Sequence, residues 1–69
     1  MKYYILLVND KSYFAKVRNF FSEYLVDSIS YDKGKAYKFE TLKEVREHQV
    51  KYGGKIIQIK ECVFEEEVH

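Results

Sequence analysis

The side chains of this sequence that could do chemistry are two histidines, His48 and His69, one cysteine, Cys62, and the carboxylates gathered at Glu61 and Glu65–Glu67. A metal site on a helix needs spacing such as His-x-x-x-His, and neither histidine has a partner at that distance. His48 follows Glu44 by one helical turn and reads as an ion-pairing or packing residue. Cys62 has no second cysteine, so neither an intramolecular disulfide nor a zinc site of cysteine pairs can form. With no histidine nearby, it reads as a buried, inert thiol in a strand. Gly53-Gly54 leads into the β-branched run Ile56-Ile57, not into a helix, so it lacks the helix N-terminus that a phosphate loop uses. The glutamates cluster in one terminal segment and are not aimed from separate elements into a cleft. The expectation is a protein that is not an enzyme and uses no metal or cofactor.

At 69 residues the chain allows one domain, residues 1–69. A chain this short buries only about 60% of its unfolded surface. Its seven Tyr and five Phe compensate, each covering a large area. The net charge of +1 argues against a dedicated polyanion binder and against a mimic of DNA. Single-cysteine usage fits a reducing, cytoplasmic setting. Tyr3–Val8 is too short an apolar run to span a membrane and has no cleavage-site composition, so Met1 is expected to be the native start and no membrane is expected as a partner.

The clearest local signal is Thr41-Leu42-Lys43-Glu44, a capping box. The Thr41 hydroxyl can accept from the Glu44 N–H while the Glu44 carboxylate reaches back to the N–H of Thr41. Leu42, Val45, Gln49 and Tyr52 then share one helical face with His48 on its shoulder, and Lys43, Glu47 and Lys51 form ion-pairing steps on the other. Gly53 or Gly54 is expected to end the helix in a left-handed conformation. A strand through Ile56, Ile57 and Ile59 follows, continuing as far as Phe64, with residues 65–69 a solvated tail.

The N-terminal part reads as a hairpin: strand Tyr3–Val8, turn Asn9–Ser12, strand Tyr13–Arg18. That turn sets Val8 opposite Tyr13. One face then carries Tyr4, Leu6, Val8, Tyr13, Ala15 and Val17, apolar enough to lie under the helix. The other carries Tyr3, Ile5, Leu7, Phe14, Lys16 and Arg18. A slip of one residue would exchange the faces. Because one face of such a sheet is normally polar, Ile5, Leu7 and Phe14 require cover, from Asn19–Ser30, a second copy or another protein. Asn19–Ser30 is too apolar for a loop; it reads as a bend through Asn19–Glu23 and a strand near Leu25–Ser30. Asp32 is placed to cap a short turn ending at Ala36, and Tyr37–Phe39 to form a short strand before the helix.

The fold expected is α+β, a mostly antiparallel sheet of four to five strands with one main helix on one face, in the order ββββαβ. The pattern Asp32, Lys35-Ala36-Tyr37-Lys38-Phe39-Glu40-Thr41, Glu44 and Gly53-Gly54-Lys55-Ile56-Ile57 resembles a motif of small uncharacterised proteins encoded by phages and prophages of Gram-positive, especially staphylococcal, bacteria. Those proteins also open on a hairpin of the Met-Lys-Tyr-Tyr-Ile kind. The resemblance runs about the whole length, but it is one of turns and caps. Val45 stands where the usual pattern has alanine, and Phe20–Val26 has no counterpart. It brings no catalytic residues. It implies an accessory protein acting in the cytoplasm of a bacterial host.

Two binding functions follow. The first is recognition of a bacterial host protein, with inhibition of a bacterial defence system as one version. The candidate surface is Tyr3, Phe14, Lys16, Arg18, Phe20, Phe21 and Tyr24, since aromatic and arginine side chains dominate interface energetics. The alternative is a nucleic-acid-binding module in which Tyr3, Phe14, Lys16 and Arg18 place stacking rings beside cations on one sheet face. A homodimer through an uncovered edge strand or the Ile5/Leu7/Phe14 face is compatible with the first.

Overall fold

The computed structural model describes residues 2–19, 21, 24–60 and 64–68. Strands β1 (Lys2–Leu7), β2 (Tyr13–Arg18) and β3 (Leu25–Ser30) precede a 3-10 turn (Lys33–Lys35) and helix α1 (Leu42–Tyr52), and β4 (Lys55–Lys60) and β5 (Phe64–Val68) follow. The strands form one five-stranded sheet in the order β3-β2-β1-β4-β5, with antiparallel neighbours throughout. The fold is therefore α+β, with the helix between β3 and β4. Two details differ from the sequence reading. Tyr37–Phe39 contributes a single bridge and not a full strand. Phe64 does not continue β4 but opens β5, and the Glu65–Glu67 run is not a tail: β5 folds back on β4, with Ile59 opposite Glu65 and Ile57 opposite Glu67.

The hairpin register also differs. Leu7, not Val8, stands opposite Tyr13. The Val8 N–H donates to the Ser12 carbonyl at 2.9 Å, and Asn9 Oδ1 accepts from the Lys11 N–H at 2.9 Å, so the asparagine side chain holds the turn one step tighter. This slip reverses the faces of β2 relative to β1. Phe14, expected on the uncovered face, lies under the helix with Tyr4, Leu6, Phe39, Val45 and Ile56. The register that wins sets the Phe14 ring in the core under the helix and leaves the small Ala15, also buried, for the other face.

Beyond that rung the two strands are held through a third segment. Tyr4 donates its N–H to the Phe39 carbonyl and accepts from the Phe39 N–H, both at 2.8 Å. The Tyr37 N–H donates to the Phe14 carbonyl at 2.9 Å. A backbone N–H makes one such bond, so Tyr4 is tied here to Phe39 and not to β2. Residues 37–39 thus wedge between β1 and β2. Just before the wedge, Ala36 packs on one face with Ile5 and Ile59, flanked by Tyr3, Tyr13 and Ile57. Just after it, α1 packs on the other face. The chain crosses the sheet through this gap. The cover that Ile5 required comes from Ala36, within the same chain.

Local chemistry sets the boundaries. Asp32 Oδ1 accepts from the Gly34 N–H at 2.9 Å and caps the 3-10 turn, as expected. Thr41 Oγ1 accepts from the Glu44 N–H at 3.3 Å, the forward half of the capping box. Val45 is fully buried, and Leu42, His48 and Gln49 are half-buried around it. The helix ends where the Gly53 N–H donates to the Gln49 carbonyl at 2.7 Å. Gly53 (φ 76°, ψ −166°) and Gly54 (φ 96°) both have positive φ. At Gly54 a Cβ would lie 2.2 Å from the Leu7 carbonyl oxygen, whereas at Gly53 it would meet nothing within 4 Å. Gly53→Ala should cost about 1–3 kcal/mol of backbone strain alone. Gly54→Ala should cost clearly more, because the β1 backbone must also move. Urea denaturation of the two variants checks this, and equal losses would refute the close approach.

Candidate interaction surface

β3 is an edge strand, and its residues are mostly exposed. Its register with β2 sets Phe14 opposite Ile29, Lys16 opposite Asp27 and Arg18 opposite Leu25 on the helix side. Val17 opposite Val26 and Ala15 opposite Ser28 lie on the other side. The helix does not extend over this strand. Leu25 and Ile29 are each 57% exposed and Tyr31 is 77% exposed, so large apolar groups stand in solvent on the helix side of this edge. An edge strand that leaves large apolar side chains exposed beside an open ladder is unusual in a protein of balanced charge.

The C-terminal end of α1 borders this strand. Phe14 is packed by the rings of Phe39, His48 and Tyr52 at centroid distances of 5.6, 5.0 and 5.4 Å. His48 Nδ1 lies 2.9 Å from the Glu44 carbonyl. A carbonyl only accepts, so this nitrogen carries a proton and the imidazole is oriented as a packing ring. The Tyr52 hydroxyl donates to Asp27 Oδ2, joining helix to β3. Lys51 Nζ is 3.8 Å from the same oxygen. Lys16 Nζ stands 5.0 Å over the Tyr37 ring. The Tyr52 hydrogen bond, reinforced by the charges of Lys51, Lys16 and His48 against a partial desolvation, holds the Asp27 carboxyl below its ordinary value. The Tyr52 hydroxyl, and Asp27 behind it, raise the Lys51 ammonium above its own. Val8, Phe14, Asp27, Ser28, Ile29 and Tyr52 line a concavity of about 370 Å³, enough for a side chain or two of a partner.

The opposite edge is chemically unlike this one. In β5, Glu65, Glu66 and Glu67 are exposed in succession. Lys33 meets Glu65, and Lys55 Nζ is 3.6 Å from Glu67. Charged edges of this kind resist pairing with another chain.

The sequence-predicted surface residues are dispersed. Phe14 is 1% exposed and belongs to the core. Tyr3 is half-buried on the other face, with Lys38 Nζ 5.1 Å over its ring. Lys16 is half-buried beside Asp27, and Arg18 is exposed at the far end of β2. Phe21 is 96% exposed and its N–H donates to Asn19 Oδ1 at 3.0 Å; Tyr24 is exposed nearby. Arg18, Phe21 and Tyr24 therefore share one end of the β2–β3 hairpin. Phe20 lies outside the described residues, as do Cys62, Glu61 and His69. Because Tyr3 and Phe14 are on opposite faces, the single aromatic and basic sheet face expected for nucleic acid is not assembled.

Residues the sequence did not single out are Ile29, Tyr31, Asp27 and Tyr52. The apolar residues of Asn19–Ser30 were the signal for Ile29; nothing in the sequence pointed to Tyr31, and nothing in the spacing links Asp27 to Tyr52. Among the described residues no group of three His, Cys, Asp or Glu side chains converges to hold a metal ion, and no helix is long and apolar enough to cross a membrane. The chain matches no known family, no curated protein and no solved structure.

The Asp27 shift has a pH signature. Its folded value is lowered from 3.8, so the stability gained from the Tyr52 contact is present above 3.8 and is lost as pH falls through the lower folded value. Tyr52→Phe should therefore lower the urea midpoint at neutral pH and approach the unaltered protein well below pH 3.8. A deficit that persists unchanged in acid would mean that the hydroxyl acts through packing alone.

Proposed function

We propose that this chain is a non-enzymatic protein-interaction module that binds a bacterial protein through the β3 edge and the concavity beside Tyr52. The observation that carries this reading is the contrast between the two sheet edges. β5 is guarded by consecutive glutamates, whereas β3 presents Leu25, Val26, Ile29 and Tyr31 with a single carboxylate, Asp27, already engaged. An extended segment added beside β3 would gain main-chain hydrogen bonds, and its alternate side chains would meet Ile29 and the concavity. The resemblance to phage-encoded proteins supports an accessory role in the cytoplasm of a bacterial host, with inhibition of a defence system as the specific form. The near-neutral charge supports a protein partner over a nucleic acid.

The test is affinity capture from nuclease-treated bacterial lysate at moderate salt. A stoichiometric protein should be retained by the unaltered chain and by Glu66→Lys on the opposite edge, and lost with Ile29→Lys. Ile29 is exposed, so that variant should keep its circular dichroism spectrum. Equal capture by Ile29→Lys would remove β3 from the site. Recovery of nucleic acid alone from untreated lysate, lost as salt rises, would overturn the protein-binding reading.

A further inference from the structure

The open side of β3 is complementary to itself. The Asn19 N–H donates to the Tyr24 carbonyl at 3.0 Å, so these facing residues are a hydrogen-bonded pair. Alternation along the β2–β3 ladder then turns the backbone groups of Val26, Ser28 and Ser30 toward β2 and those of Leu25, Asp27 and Ile29 outward. The Ile29 carbonyl, on the outward side, is approached by Ser28 Oγ at 3.5 Å.

Two antiparallel copies of β3 related by a two-fold axis perpendicular to the sheet keep their helices on the same side. Near the strand centre only two registers do so. Centring on Asp27 sets that carboxylate opposite itself, and like charges so placed are destabilising. Centring on Ser28 sets Leu25 opposite Tyr31 of the second copy and Asp27 opposite Ile29, with the two Ile29 side chains diagonal neighbours across the axis. Both outward ladders are satisfied, Leu25 meets Tyr31 and Ile29 meets its equivalent on the helix side, and the two Asp27 carboxylates are diagonal to each other and not directly opposite. The same operation at β5 would stack glutamate on glutamate.

We propose that in the free protein the β3 edge is occupied by β3 of a second copy, antiparallel and centred on Ser28, and that a bacterial partner must displace this copy to reach the edge. The inference rests on the reading of β3 as a pairing edge and not on the identity of the bacterial protein.

Ser28 would face its equivalent as a non-hydrogen-bonded pair with Cα atoms about 4.5 Å apart, within the range of about 4.4–6.8 Å that a disulfide spans. In a Cys62→Ser background, Ser28→Cys should therefore give a linked dimer under mild oxidation, and Val26→Cys, facing Ser30, should not. Sedimentation of the unaltered protein should show a dimer, and Ile29→Lys a folded monomer. A chain that sediments as a monomer at every concentration tested would overturn the inference, even if it still captures a bacterial protein through β3, in which case the proposed function stands alone. A dimer that links through Val26→Cys and not Ser28→Cys would overturn the register. A dimer as described with no bacterial protein captured would support the inference and count against the function.

Discussion

The pair of hydrogen bonds between Tyr4 and Phe39 is the constraint on which the rest of this structure depends. It holds Tyr37–Phe39 between β1 and β2, where those strands would otherwise pair directly. Because Ala36 lies on one face of the sheet and α1 on the other, the same short segment delivers cover to both. Phe39 adds a ring stacked on Phe14, so the wedge supplies both backbone partners and core volume. A chain of this length has little apolar surface to spare, and a connector that serves both faces removes the need for a second helix.

What was legible in the sequence was what contiguous residues decide. Asp32 and Thr41 cap as their spacing to Gly34 and Glu44 requires, the glycine pair closes the helix, and β2 and β3 begin and end where their composition changes. The register of the first hairpin was not legible, because a shift of one residue is decided by where Phe14 packs, and its neighbours Phe39, His48 and Tyr52 are distant in sequence. β5 was hidden for a different reason. Glutamates are depleted in strands, and this strand exists because β4 offers it a ladder. The surface was half legible: Asn19–Ser30 stood out as too apolar for a loop, but edge position is a property of the sheet order and not of the segment.

The two edges give the molecule a direction. Toward β5 the sheet ends in negative charge partly matched by lysines. Toward β3 it ends in aliphatic and aromatic groups around a carboxylate held by Tyr52 and Lys51. The Tyr52–Asp27 contact links the end of the helix to the outermost strand, which is otherwise anchored on one side only. An edge that is apolar yet tethered in this way is prepared for a strand-like partner without first having to order itself, which lowers the entropic cost of binding.

The wedge also bears on the order in which the chain can fold. β1 is the central strand, yet its ladder partners on the two sides are Phe39 and Lys55–Lys60, both supplied much later along the chain. As the chain emerges during synthesis, the first hairpin can close only at its Leu7–Tyr13 end. Its far end stays splayed until residue 39 is present, and its other side is unpaired until β4 arrives. The segment with the most apolar composition is thus the earliest made, while the residues that complete its ladders on both sides come from the second half of the sequence.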